Sequence, residues 1–233
     1  MTSKKDLDKI IDKKEEQTYI KLVSELEPYF KGIKALDIKS KEFQLFKKNY
    51  KYFFNKFTEK LKIFANLFIF KDDVSISDIK GQLTQLFAYL GTVESVGNAI
   101  VDFLVMLLVS NGIDFHIECK YGTPKIMHAT SIKQLEKERV SLGTKLNFLR
   151  ENNIKTIPSI IDNTLRNRIA HLDFRIKENH VFIKDKDAFP QVHIAQRKLS
   201  FLIGAMIVLL VNLGNELGLI TTIVPRDWFG IKN

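Results

Sequence analysis

The chain has 233 residues, 45% of them hydrophobic and 27% charged, which is enough for a sizeable core and too apolar for intrinsic disorder. Its single cysteine, Cys119, excludes an intrachain disulfide framework and a cysteine-based zinc site, which leads us to expect a reducing cytoplasm. The formal charge is +9, and residues 1–62 supply +6 of it (16 Lys against 10 acidic residues), which favours a polyanionic partner, nucleic acid first, over a role in solubility alone.

The opening MTSKKDLDKIIDKKEEQ is charged throughout and has no apolar signal core, so secretion is not expected. Between Asp6 and Gly32, Leu7, Ile10, Ile11, Leu22 and Leu26 fall at helical spacing. From Glu42 to Phe68 the residues Phe43, Phe46, Tyr50, Phe53, Phe57, Leu61, Phe64 and Phe68 recur in three- and four-residue steps and share one face. Lys47, Lys48, Lys51, Lys56 and Lys60 lie mostly outside it. Interleaved aromatics and lysines can also stack bases and hold phosphates, but this periodicity favours buried aromatics and solvated lysines. KDDVSISD, residues 71–78, breaks the pattern and separates an N-terminal helical extension (1–78) from the remainder (79–233).

The spacing then predicts a long helix from Ile79 to Ser110, stopped by Asn111-Gly112. Residues 112–130 read as a loop with short strands. His116, Cys119 and His128 fall there, but their spacing fits no zinc pattern and no further ligand is evident, so no metal is expected. A helix is predicted over Ser131–Asn152 and another from Pro158 onward, proline suiting a first helical turn. Phe174, Ile176, Val181 and Ile183 alternate around a polar turn and predict a small hairpin, followed by a helix over Val192–Leu217. VDFLVMLLV and LSFLIGAMIVLLVNLG are read as buried core helices rather than membrane spans, because charged or amide residues interrupt both too early. The predicted architecture is an all-α bundle of four core helices with the N-terminal extension and one hairpin.

Phosphate-binding glycine loops, HExxH and GxSxG are missing from the sequence. What remains is LRNRIAHLDF, Leu165 to Phe174. Histidine transfers protons near neutrality and arginine holds phosphate through several donors, a pairing that suits phosphoryl chemistry without a metal or cofactor. Arg166-Asn167-Arg168-Ile169-Ala170-His171 resembles the HEPN signature: an arginine, a polar residue, three more residues, then histidine, late in an all-α bundle. The resemblance spans roughly residues 79–218. It implies a metal-independent endoribonuclease acting as a homodimer, with two copies of the motif facing one cleft and the RNA 2′-hydroxyl attacking the neighbouring phosphate. Many such proteins are toxins or phage-defence effectors, and a paired antitoxin or a nucleotide would be the regulator. By position, His171 would transfer the proton, Arg166 would contact the phosphate, and Asn167 would support the site.

Helical geometry leaves one choice open. Asn167 and His171 are one turn apart, whereas Arg166 points about 140° away from His171 and Arg168 lies within about 60° of it. Resemblance favours Arg166; geometry favours Arg168. On the long helix Glu94, Asn98 and Asp102 form an i, i+4, i+8 line, and Glu94 and Asn98 fall in its apolar arc. Glu94 would therefore orient one of the arginines or face a dimer partner, unless it is an ordinary half-exposed glutamate. Plainer readings stand beside each assignment: His171 as a helix-end residue, the arginines as partners of Asp162 and Asp173, and Asn167 as solvated. The alternative function is a non-catalytic HEPN-like module that binds nucleotide or RNA, or dimerises, with helix 42–68 as a docking surface. A purely structural bundle is the third.

Overall fold

The computed structural model describes residues 4–69, 79–118, 126–178 and 180–220. The break at 71–78 and Cys119 lie outside them. The chain is mostly helical, an α bundle with two small antiparallel sheets. Two long helices come first, α1 (Lys4–Ala35) and α2 (Lys41–Ile69). The aromatic period of α2 is its core face: Phe43, Phe46, Tyr50, Phe53 and Phe57 are buried. Phe46, Tyr50 and Phe53 surround Phe103 with ring centroids 4.8–6.1 Å away. Tyr50 also donates its buried hydroxyl to the Leu210 carbonyl at 2.8 Å. Gly214, one turn on, is required there, because a Cβ would lie 2.3 Å from the Tyr50 hydroxyl. The described aromatics of this face are thus committed to the core.

The side chains of α1 and α2 also hold later backbone. Glu25 accepts from the N–H groups of Lys155 and Thr156, and the Asn49 carboxamide oxygen accepts from Ile132 N–H at 3.1 Å. Leu22, Leu26 and Ile33 belong to the same apolar cluster as the later helices. The lysines of α2 are less uniform than solvated positions: Lys56 pairs with Glu136 at 2.8 Å, and half-buried Lys60 donates to the Ser95 carbonyl at 3.1 Å.

The run Ile79–Ser110 is α3 (Ile79–Thr92), a π turn (Val93–Gly97) and α4 (Asn98–Ser110). Nearly all of α4 is buried, packed between α2 and a later helix, α6. The predicted Ser131–Asn152 helix is two: α5 (Ile132–Lys137) and α6 (Leu142–Glu151). The predicted helix from Pro158 through the motif is also two, α7 (Thr156–Ile160) and α8 (Asn163–Ala170). Both breaks have the same cause. A new N-cap, Ser141 or Asp162, accepts from the N–H three residues on. Ahead of Ser141, α5 is stopped by Arg139 in the left-handed region (φ +50°). Arg139 N–H bonds to the Glu136 carbonyl and Val140 N–H to that of Leu135. Gly112 and Gly218 close α4 and the last helix in the same way, and Asn153 closes α6, where glycine or asparagine makes the stop legible.

The strands β1 (His116–Glu118) and β2 (Ile126–His128) form one hairpin. The other sheet, β3 (Arg175–Lys177), β4 (His180–Ile183) and β5 (Lys186–Asp187), has one strand more than predicted. Only β4 faces the core, through Val181 and Ile183; Ile176 is half exposed. The extra strand arises because Lys184 and Asp185 both take positive φ in a two-residue turn, without a glycine to announce it. The last helix, α9 (Ala188–Glu216), starts earlier than predicted because Asp187 caps it and Pro190 is tolerated in its first turn. Ile79–Ser110 and α9 are both long and apolar enough to cross a membrane by length and composition. Of the most apolar stretch of each, 78% is buried in the first and 44% in α9.

Candidate active site

The motif occupies α8 and the residue that ends it. Leu165 and Ile169 anchor this two-turn helix in the core, which leaves Arg166, Asn167 and Arg168 half-buried on its flank. The Asp162 carboxylate accepts from Leu165 N–H at 2.8 Å and fixes the start, rather than pairing with an arginine. At the other end His171 is the C-cap, exposed, with its N–H on the Asn167 carbonyl at 2.9 Å. Leu172 follows at φ +54°, bonded through its N–H to Ile169 O, while Asp173 N–H bonds to Arg168 O. This is the cap of α5 again, here with leucine in a conformation that glycine prefers.

A left-handed leucine costs roughly 1–2 kcal/mol and Leu172 is 61% exposed, so little packing offsets that strain. Leu172→Gly is expected to raise the unfolding free energy by up to about 1 kcal/mol, read from the urea midpoint.

Arg166 points away from solvent toward the π turn. Its Nε and a terminal nitrogen meet Glu94 Oε1, and Nη1 donates to Asn167 Oδ1 at 2.5 Å. Partial burial lowers the guanidinium below its ordinary value, but arginine stays charged throughout the accessible range. Arg168 instead pairs with Asp173 at 3.4 Å. Of the two arginines, then, Glu94 orients Arg166. The plainer reading of Arg168 as a partner of Asp173 describes its contact.

The π turn explains why Glu94 and Asn98 part company. Asn98 N–H donates five residues back, to Val93 O, and one extra residue per turn shifts phase by about 100°. The i, i+4, i+8 line is therefore broken after Glu94. Asn98 and Asp102 stay in line and both accept from Lys145 Nζ, at 2.5 and 2.6 Å. Asn98 thus serves a buried ion pair and does not reach the arginines through any hydrogen bond among the described residues. Lys145 and Asp102 side chains are 3% and 6% exposed. Burial pushes the Asp102 carboxyl up, and the Lys145 ammonium opposes that shift. Helical spacing sets Lys145 between Leu142, Leu146 and Leu149, on the side of α6 that packs on α4, so the period carried a signal of its burial that its charged side chain masks. Lys60, expected to be solvated, is instead half-buried and donates its ammonium to the π-turn carbonyl of Ser95.

A second group of chemically capable side chains lies on the β1–β2 hairpin. The register sets His116 opposite His128, and Asp114 joins them, with Oδ1 3.3 Å from His128 Nδ1. The sequence singles out His116, Cys119 and His128 but not Asp114, because only the hairpin brings residue 128 back to residue 114. Compared with family models, with curated proteins and with solved structures, the chain matches none.

Proposed function

We propose that this chain is an HEPN-type, metal-independent endoribonuclease acting as a homodimer in the cytoplasm, as a toxin or phage-defence effector. A paired antitoxin or a bound nucleotide would regulate it. The observation that carries the reading is the arrangement at α8: Arg166 is oriented by Glu94 and Asn167, and His171 stands exposed one turn beyond Asn167. In the proposed reaction His171 takes the proton of the 2′-hydroxyl, whose oxygen bonds to phosphorus, and the bond from phosphorus to the 5′-oxygen breaks. The leaving oxygen gains a proton, giving a 2′,3′-cyclic phosphate and a 5′-hydroxyl end. Arg166 offsets the charge gathering on the phosphate oxygens. The apolar face that α9 leaves half-covered, including Ile194 and Val208, supports assembly with a second copy.

One observation favours the second reading, a non-catalytic HEPN-like module that binds nucleotide or RNA or dimerises. The Arg166 guanidinium is already paired with a carboxylate, so phosphate has to compete with Glu94 for it. A fluorescence-quenched RNA separates the two. The nuclease reading predicts cleavage that continues in excess chelator. Binding of the RNA with no cleavage would establish the module instead, and loss of cleavage on chelation would point to a metal nuclease.

A further inference from the structure

We propose that Asp114, His116 and His128 form a binding site for one first-row divalent ion with zinc's preference for nitrogen and oxygen. His116 and His128 are directly opposed in the antiparallel β1–β2 pair, which puts both side chains on one face of the hairpin. Their ring centroids are 4.8 Å apart. One ligand atom from each of the three residues lies within 4.8 Å of the other two. A tetrahedral zinc shell with bonds of about 2.0–2.1 Å needs neighbouring ligand atoms about 3.3 Å apart. The Asp114 Oδ1 to His128 Nδ1 distance is 3.3 Å already, and all three side chains are exposed.

The backbone beneath the site is fixed while the ligands stay free. Phe115, between Asp114 and His116, is 3% exposed and packs on Phe148 with centroids 4.6 Å apart. Ala129, next to His128, is 2% exposed and donates its N–H to the Phe115 carbonyl at 3.0 Å. Each ligand is thus carried by a residue rooted in the core, while its own side chain is exposed. The Asp114 and His116 flank opens on a cleft of about 580 Å³ whose far wall is Thr144, Asn147, Glu151 and Asn152. Solvent or a ligand in that cleft would complete the shell. Two imidazoles and one carboxylate suit zinc, nickel, copper or ferrous iron and are a poor set for magnesium or calcium. A bound ion would also clip a hairpin of three residue pairs, which is marginal unaided.

The competing explanation is a plain surface pair of Asp114 with His128, which predicts no stoichiometric metal binding. The test is Zn²⁺ titration of the full chain, followed by calorimetry and by ring signals of labelled histidines. One Zn²⁺ per chain is expected, with His116 and His128 signals moving and those of His171, His180 and His193 unchanged. His116→Ala and His128→Ala should each weaken binding by about tenfold or more, and circular dichroism verifies their fold. No saturable binding up to about 100 μM would overturn the site. So would Zn²⁺ binding retained by the His116→Ala/His128→Ala double variant, or a response at the other three histidines in the unaltered protein. The wild-type signals decide the matter even if a variant fails to fold. The inference does not rest on the ribonuclease reading, which involves none of these residues.

Discussion

Lys145→Met is expected to destabilise the protein by about 3–5 kcal/mol, the cost of leaving one partner of a buried ion pair uncompensated. Asp102 is almost wholly buried in α4 and has the Lys145 ammonium 2.6 Å from one oxygen. Without that ammonium, the carboxylate must shed its charge by taking up a proton. Its carboxyl is pushed up by burial even with Lys145 present, so in the variant the folded state binds that proton more tightly than the unfolded chain. The sign follows from linkage. The folded pKa lies above the unfolded value of about 3.9, so the variant's stability falls as pH rises from about 4 toward the folded pKa. Urea unfolding at a series of pH values measures this, with Lys145→Met/Asp102→Asn as the reference that cannot titrate. A Lys145→Met protein as stable as wild type at neutral pH would mean that the pair is not buried as described.

His171→Ala is expected to reduce RNA cleavage by about 10²–10⁴-fold, the usual contribution of a positioned general acid or base. The fold should survive it. His171 is exposed, and its backbone N–H, which bonds to the Asn167 carbonyl, is retained by alanine. The stability loss should stay within about 1 kcal/mol. Arg166→Ala is predicted to lose activity on a similar scale, whereas Arg168→Ala is expected to be mild, since Arg168 is engaged with Asp173. The ranking is informative because Arg166 and Arg168 differ in what holds them rather than in charge. If Arg168→Ala proved the more damaging, the angular argument from an undistorted helix would prevail over the contact with Glu94.

The ambiguity between those arginines shows what the sequence could express about this site. Periodicity located α2's aromatic face and α4's burial, because a core of phenylalanine and aliphatic side chains repeats on every turn. It also put Asn167 and His171 one turn apart. It did not convey the π turn, since Val93–Gly97 differs from α-helix only in bonding five residues back instead of four, and no residue type demands it. Glu94 and Asn98 consequently looked like neighbours, yet they serve different partners. The helix stops at Arg139 and Leu172 were hidden for a related reason. Left-handed caps announce themselves through glycine or asparagine, and these two positions have neither. The pairing of Lys145 with Asp102 and the Asp114–His116–His128 group depend on tertiary approach and strand register, which no local spacing encodes. Legibility was therefore best where one element buries one face, and poorest where two elements meet.

The central claim is that α8 and its cap cut RNA by transfer to the 2′-hydroxyl without a metal. Incubating one RNA in chelator with wild type and His171→Ala side by side, and identifying the product ends, tests it most directly. Wild type should yield 2′,3′-cyclic phosphate and 5′-hydroxyl ends while His171→Ala leaves the RNA intact; 5′-phosphate ends, or equal cleavage by both proteins, would contradict it.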